Sequence, residues 1–171
     1  MRKARPALAS AAFFLFAPAV VAGAIPWYLT RWELHQPMSN WWPLQVAGAI
    51  LLLAGAAVLA CSFVRFIDEG LGTPAPVAPT ERLVVTGPYR YVRNPMYLAV
   101  TATIVGQALL LGQPSLLAYA AIVGTAMIAF AHGYEEPALA SRFGDSYRAY
   151  RRAVPAWWPR RHPWTEDLDR P

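Results

Sequence analysis

Two short stretches concentrate the side chains with chemistry to offer. The first is Gly87 to Tyr97, G-P-Y-R-Y-V-R-N-P-M-Y, with two arginines, three tyrosines, an asparagine and two prolines set directly before a long apolar run. The second is Glu135-Glu136, just past the far end of that run. Tyrosine faces stabilise cations, carboxylates accept from amines or ribose hydroxyls, and arginine can hold a carboxylate or phosphate in bidentate fashion. Together the two stretches suit a zwitterionic ligand with a positive centre, provided that the chain brings them side by side.

The elements that would do so are apolar. The 171-residue chain is 56% hydrophobic, and residues 7–29, 44–64 and 96–131 are free of charged side chains. A helix of about 20 apolar residues crosses a hydrocarbon core, so the first two are single spans and the third is too long for one. Gly112-Gln113-Pro114 breaks the third into a tight hairpin, 96–111 and 115–131. The reading is an all-α integral membrane protein of about four transmembrane helices, a single domain over 1–171, with motifs at 83–97 and 132–159 on one face. The last hairpin places Gly87–Tyr97 beside Glu135-Glu136.

Charge orients the bundle. With the N-terminus cytoplasmic, every basic residue but Arg31 falls in a cytoplasmic segment, so both termini and both motifs are expected on the cytoplasmic side of a bacterial-type inner membrane. The net charge of +5 is then topology and attraction to membrane lipids, and it does not call for nucleic acid. The lone Cys61 and three histidines argue against a disulfide framework or a metal site. Charge-free spans argue against an ion path.

Along the chain, 7–29 reads as a retained anchor, the alternative being a cleaved signal peptide. Trp32, Trp41 and Trp42 read as an interfacial belt on the outer loop. Residues 44–64 carry a small-residue face suited to close helix packing. Residues 68–82, rich in proline, read as a connector or a substrate-gating loop. Leu83 to Thr86 reads as a short extended piece and Gly87-Pro88 as a turn. Asn94-Pro95 reads as the cap of the third span, with headgroup phosphate as the simple partner for Arg90 and Arg93. Glu135-Glu136-Pro137 reads as the first turn of a new helix, whose Leu139, Phe143, Tyr147, Tyr150 and Val154 form an apolar face. That helix is expected to lie along the cytoplasmic interface, anchored by Trp157, Trp158 and Trp164.

The order G-P-Y-R-Y-V-R-N-P-M-Y, then E-E, then F-G-D-S-Y-R-A-Y-R-R-A-V-P resembles the integral-membrane methyltransferases that include isoprenylcysteine carboxyl methyltransferase and the phospholipid N-methyltransferases. The resemblance covers Leu83 to Pro159. It implies S-adenosylmethionine bound at the cytoplasmic helix ends and a lipophilic acceptor entering from the bilayer, with no obligate protein partner. It implies cofactor contacts at Gly87, Tyr89, Arg90, Arg93, Asn94, Pro95, Tyr97, Glu135 and Glu136, catalytic roles for Glu136, Tyr150 and Arg152, and a place near the acceptor for Tyr147, Tyr150 and the arginines that follow, Arg151 and Arg152. Asn94 stands where eukaryotic members have histidine, and Ala153 stands where many members have arginine, with Arg152 one residue before it.

Methyl transfer from a sulfonium is an in-line displacement that asks for proximity and a dry pocket rather than a metal. A soluble dinucleotide-type methyltransferase is excluded, because no strand-helix alternation surrounds a G-x-G-x-x-G. Two other readings share these features: an NADPH-dependent membrane reductase of the sterol-reductase kind, and a non-enzymatic membrane protein.

Overall fold

The computed structural model describes residues 16–70 and 83–165, with only the backbone of 66–70. The proline-rich stretch read as a connector or gating loop therefore lies largely outside the described residues, as does the start of the first span. The described residues are helical with no strand: α1 is Phe16–Thr30, α2 Trp42–Gly70, α3 Pro95–Leu111, α4 Pro114–Phe130 and α5 Glu136–Ala153. Two continuous helical stretches, Trp42–Arg65 and Pro114–Ala153, are long and apolar enough to cross a membrane, while α1 and α3 are shorter apolar helices. Leu83 to Thr86 is irregular, with Thr86 extended.

The central element is α3. Its α2 side is a close crossing: a Cβ on Gly48 would lie 2.5 Å from the Leu110 backbone nitrogen, and one on Gly106 would lie 2.7 Å from that of Leu52. No side chain fits there, so the backbones themselves meet, as small residues allow in lipid. The other side of α3 packs Val100, Ile104, Ala108 and Leu111 against Ala22 of α1 and Leu116 and Ala120 of α4. Outward faces remain apolar, with Ile50, Leu53 and Ile122 well exposed. That is the surface expected of helices solvated by lipid.

Prolines give α1 its shape. Pro26 has no N–H for the turn before it, and the chain answers with a π turn at Val20–Ala24 in which Ile25 N–H reaches Val20 O. Neighbouring helices supply the missing donors: Tyr119 Oη–H donates to Val21 O at 2.9 Å, and Gln107 Nε2 donates to Ala22 O at 2.6 Å. The buried Gln107 also accepts from Trp32 Nε1 at 3.2 Å. An amide inside an apolar bundle is thus fully used.

The loop between α1 and α2 caps the end of α3. His35 N–H donates to Leu111 O, Trp41 Nε1 to Leu109 O and Gln45 Nε2 to Leu110 O, while Gly112 and Gln113 N–H both return to Ala108 O. All four carbonyls of the last turn are satisfied. The outer tryptophans do more than the belt reading gave them. Trp32 and Trp42 are both exposed, but Trp32 and Trp41 also donate their indole N–H groups to α3.

Candidate active site

At the opposite end, Arg93 and Tyr97 lie one turn apart where α3 begins, and Glu135 and Glu136 lie where α4 ends. An α-helix does start at Glu136, with Pro137 in its first turn, but it is not a separate helix: the chain continues from α4 into α5 through a second π turn, Ala131–Glu135, with Glu136 N–H reaching Ala131 O. The cause matches that in α1: Pro137 lacks an N–H, and a widened turn absorbs the loss without breaking the helix. This turn sets the two carboxylates into different polar environments.

Glu135 accepts from Tyr97 Oη–H at 2.6 Å. It is half-buried beyond the apolar run, and burial raises its carboxyl above the ordinary range while the Tyr97 hydrogen bond opposes the rise. Glu136 is buried and forms an ion pair with Arg93 Nη1 at 2.8 Å. Its other oxygen faces Arg151 Nη2 at 3.2 Å and His132 Nδ1 at 3.4 Å. Arg93 Nη1 also reaches Tyr147 Oη at 3.1 Å. A buried carboxylate with this many partners is ordered, and removing it strands the charges around it.

The C-terminal tail, from Val154 to Trp164, lies antiparallel across Arg90–Asn94. Backbone N–H groups of Arg93, Arg160 and Trp164 donate to Pro155 O, Tyr91 O and Arg90 O. Side chains reinforce this: Arg90 Nε donates to Trp164 O at 2.7 Å, Arg93 Nε to Val154 O at 3.0 Å, and Asn94 Nδ2 to Ala156 O at 3.2 Å. Three expectations change. Arg90 and Arg93 are committed to the tail rather than to headgroups. Asn94 precedes α3, but its side chain makes no cap bond. Trp164 is buried against Tyr150 and Trp157 stacks on Tyr97 with centroids 6.5 Å apart, which leaves Trp158 as the exposed anchor of the three.

The apolar face of α5 packs as its spacing predicts. Tyr147, Tyr150, Val154 and Trp164 are buried together, with Leu139, Phe143, Leu83 and Val85 around them. Gly144, at φ 53°, kinks α5 within this face in a conformation that favours glycine. Tyr150 Oη–H donates to Tyr89 O at 2.7 Å, so its hydroxyl is engaged by the chain itself. Burial pushes the phenols of Tyr89, Tyr147 and Tyr150 above their ordinary range, which keeps them neutral donors. Gly87 opens a 3-10 turn, Gly87–Arg90, and a Cβ on it would lie 2.9 Å from the Arg65 side chain. Pro95 is buried in the first turn of α3, and Arg152 is exposed without an ion pair among the described residues.

Of the residues singled out from the sequence, Arg93, Tyr97, Glu135, Glu136 and Tyr147 meet directly. Gly87, Tyr89, Arg90, Asn94, Pro95 and Tyr150 frame them, and Arg152 stands apart. Sequence reasoning missed His132 and Trp157, and it put Arg151 near the acceptor where the structure pairs it with Glu136. His132 lies four residues before Glu136, one helical turn, and that spacing was a usable signal. Trp157 gave none, since only the folded tail brings it to Tyr97.

No curated protein and no solved structure matches the chain. A family model described as phospholipid methyltransferase does match, over residues 44–146, more than half of the chain and inclusive of both chemical stretches. An all-helical chain with two membrane-length helices, whose paired carboxylates meet an arginine- and tyrosine-rich helix entrance, agrees with that match. The chain belongs to the phospholipid methyltransferase family of membrane proteins.

Proposed function

We propose that the protein transfers a methyl group from S-adenosylmethionine to a lipophilic acceptor at the cytoplasmic face of a bacterial-type inner membrane. The observation that carries this reading is the double apposition of the two stretches, Tyr97 on Glu135 and Arg93 on Glu136, at one end of the bundle. Family membership supports methyl transfer in general. The choice of cofactor, face and acceptor is inferred.

The residues present fit such a cofactor. A half-buried carboxylate, Glu135, lies beside the Tyr97 ring, and Trp157 stacks on Tyr97. Aromatic faces and an anion together favour a sulfonium centre and its amine or ribose groups. When bound, the cofactor supplies an electrophilic methyl group. In this reading Glu135, Tyr97 and Trp157 touch the ligand and exclude water. Glu136 fixes Arg93, and through it Val154, so that the entrance of α3 and the tail hold one geometry. Tyr150 and Arg90 serve that frame. Arg152, exposed beyond it, is available to an anionic group of the acceptor. Such a division suits a displacement that depends on alignment.

The topology proposed with it has four spans, α1 to α4, with α5 at the cytoplasmic interface and both termini cytoplasmic. The test is transfer of labelled methyl from S-adenosylmethionine into extracted membrane lipids by purified protein. Label in the lipid fraction that disappears with Glu135→Gln supports the reading. Equal labelling by both proteins, or none by folded wild type across amine, thiol and carboxylate acceptors, would contradict it.

A further inference from the structure

His132 and Trp157 are joined in a way that the frame does not require. Trp157 Nε1–H donates to His132 Nε2 at 3.2 Å, and the two rings meet edge to face with centroids 6.0 Å apart. The acceptor nitrogen must carry a lone pair, so the neutral ring bears its proton on Nδ1, which lies 3.4 Å from Glu136 Oε2. The same indole stacks on Tyr97 at 6.5 Å and 22°, and Tyr97 holds Glu135. Trp157 therefore bridges the two sides of the site, from the α3 entrance to the second π turn.

Unlike Arg93 and Glu136, this bridge is accessible. The His132 side chain is 49% exposed, whereas that of Glu136 is 8% exposed. Trp157 follows directly on Pro155 and Ala156, whose carbonyls are pinned by Arg93 N–H and Asn94 Nδ2. The tail is fixed up to the tryptophan, and the indole is held beyond that point by a single hydrogen bond and by stacking.

We infer that Trp157 forms a movable wall of the ligand site, and that His132 is a positioning residue that latches it through the lone pair on Nε2. This rests on the reading of Tyr97 and Glu135 as ligand-facing. A proton on Nε2 turns the acceptor into a donor facing another N–H, so the latch opens and the indole swings from Tyr97. The groups that meet the ring are Glu136 on its own helical stretch and Trp157 from the tail; behind them, Arg93 and Arg151 reach the same Glu136, and Tyr97, which holds Glu135, stacks on Trp157. Glu136, shared by Arg93 and Arg151, holds the Nδ1 proton in either state. The added charge therefore acts on Nε2 and on the indole.

The test uses the full chain in detergent micelles with 15N-labelled tryptophan, the Trp157 indole signal being the one lost in Trp157→Phe. In wild type that signal should move as the sample is acidified, because a proton on the ring removes the acceptor. His132→Gln, which keeps an acceptor and cannot titrate, should hold the signal fixed. Bound S-adenosylmethionine should dissociate on the order of tenfold faster from wild type at the acid end, with no such change in His132→Gln. An indole signal that ignores pH, or that responds alike in both proteins, overturns the latch. Absence of S-adenosylmethionine binding at every pH overturns the methyl-transfer reading alone, and the indole titration still decides the latch.

Discussion

At the scale of residues, the two adjacent glutamates do different work. Glu136 is the charge partner of Arg93, and Glu136→Gln leaves a buried guanidinium uncompensated, which costs about 3 kcal/mol. The expected outcome is a clear drop in the melting temperature of the purified protein, and an unchanged melting temperature would refute the structural role. For Glu135, burial makes stability depend on pH. Its carboxyl sits above the ordinary value of 4.5, so the native state holds the proton more tightly than the unfolded chain. The stability contributed by this group is present below that value and is lost as pH rises through the raised one. Denaturant unfolding of Glu135→Gln should show a flatter pH dependence than wild type across that window. The choice of these two residues was open to sequence reasoning, because paired carboxylates past an apolar run are conspicuous. Their separate partners were not, since the π turn that divides them depends on how Pro137 is absorbed inside a continuing helix.

At the scale of elements, the hairpin of α3 and α4 was legible almost to the residue, because glycine and proline mark its turn and charge marks its ends. The join between α4 and α5 was not. Pro137 after two acids has the local signature of a helix start, and only tertiary packing makes the π turn the better solution. The same device in α1 explains Gln107, which hydropathy treats as a blemish in an apolar run. Gln107→Leu strands Ala22 O and Trp32 Nε1 without partners, and should cost about 1–2 kcal/mol in unfolding from mixed micelles. Gly106→Val drives a side chain into the Leu52 backbone and should cost about 1–3 kcal/mol or prevent folding. A Gly106→Val protein as stable as wild type would show that the α2–α3 crossing is looser than described.

At the scale of the whole molecule, the unexpected feature is the tail. Aromatic and proline-rich, it has the composition of an interfacial anchor, yet its backbone pairs with Arg90–Asn94 and takes up donors that the sequence assigned to headgroups or a ligand. Composition cannot distinguish a tryptophan that meets lipid from one that meets Tyr97. Ending the chain at Ala153 would free Arg90, Arg93 and Asn94 of their tail partners and uncover Tyr150. Limited proteolysis should then cut within Gly87–Asn94, a segment the full-length protein protects. Undiminished protection would mean that the tail does not hold this entrance. The family assignment, the apolar helices and the site then describe one design, in which an apolar helical hairpin brings two polar stretches together and a returning tail closes over them.

The central claim is that Tyr97, Glu135 and Trp157 face a sulfonium cofactor. It is tested most directly by equilibrium binding of S-adenosylmethionine to the full chain in detergent, wild type beside Glu135→Gln, with circular dichroism showing both folded. Saturable binding to wild type, weakened at least about tenfold in the variant through loss of a charged partner, is the predicted result. Equal binding by the two proteins, or none by either, would contradict it.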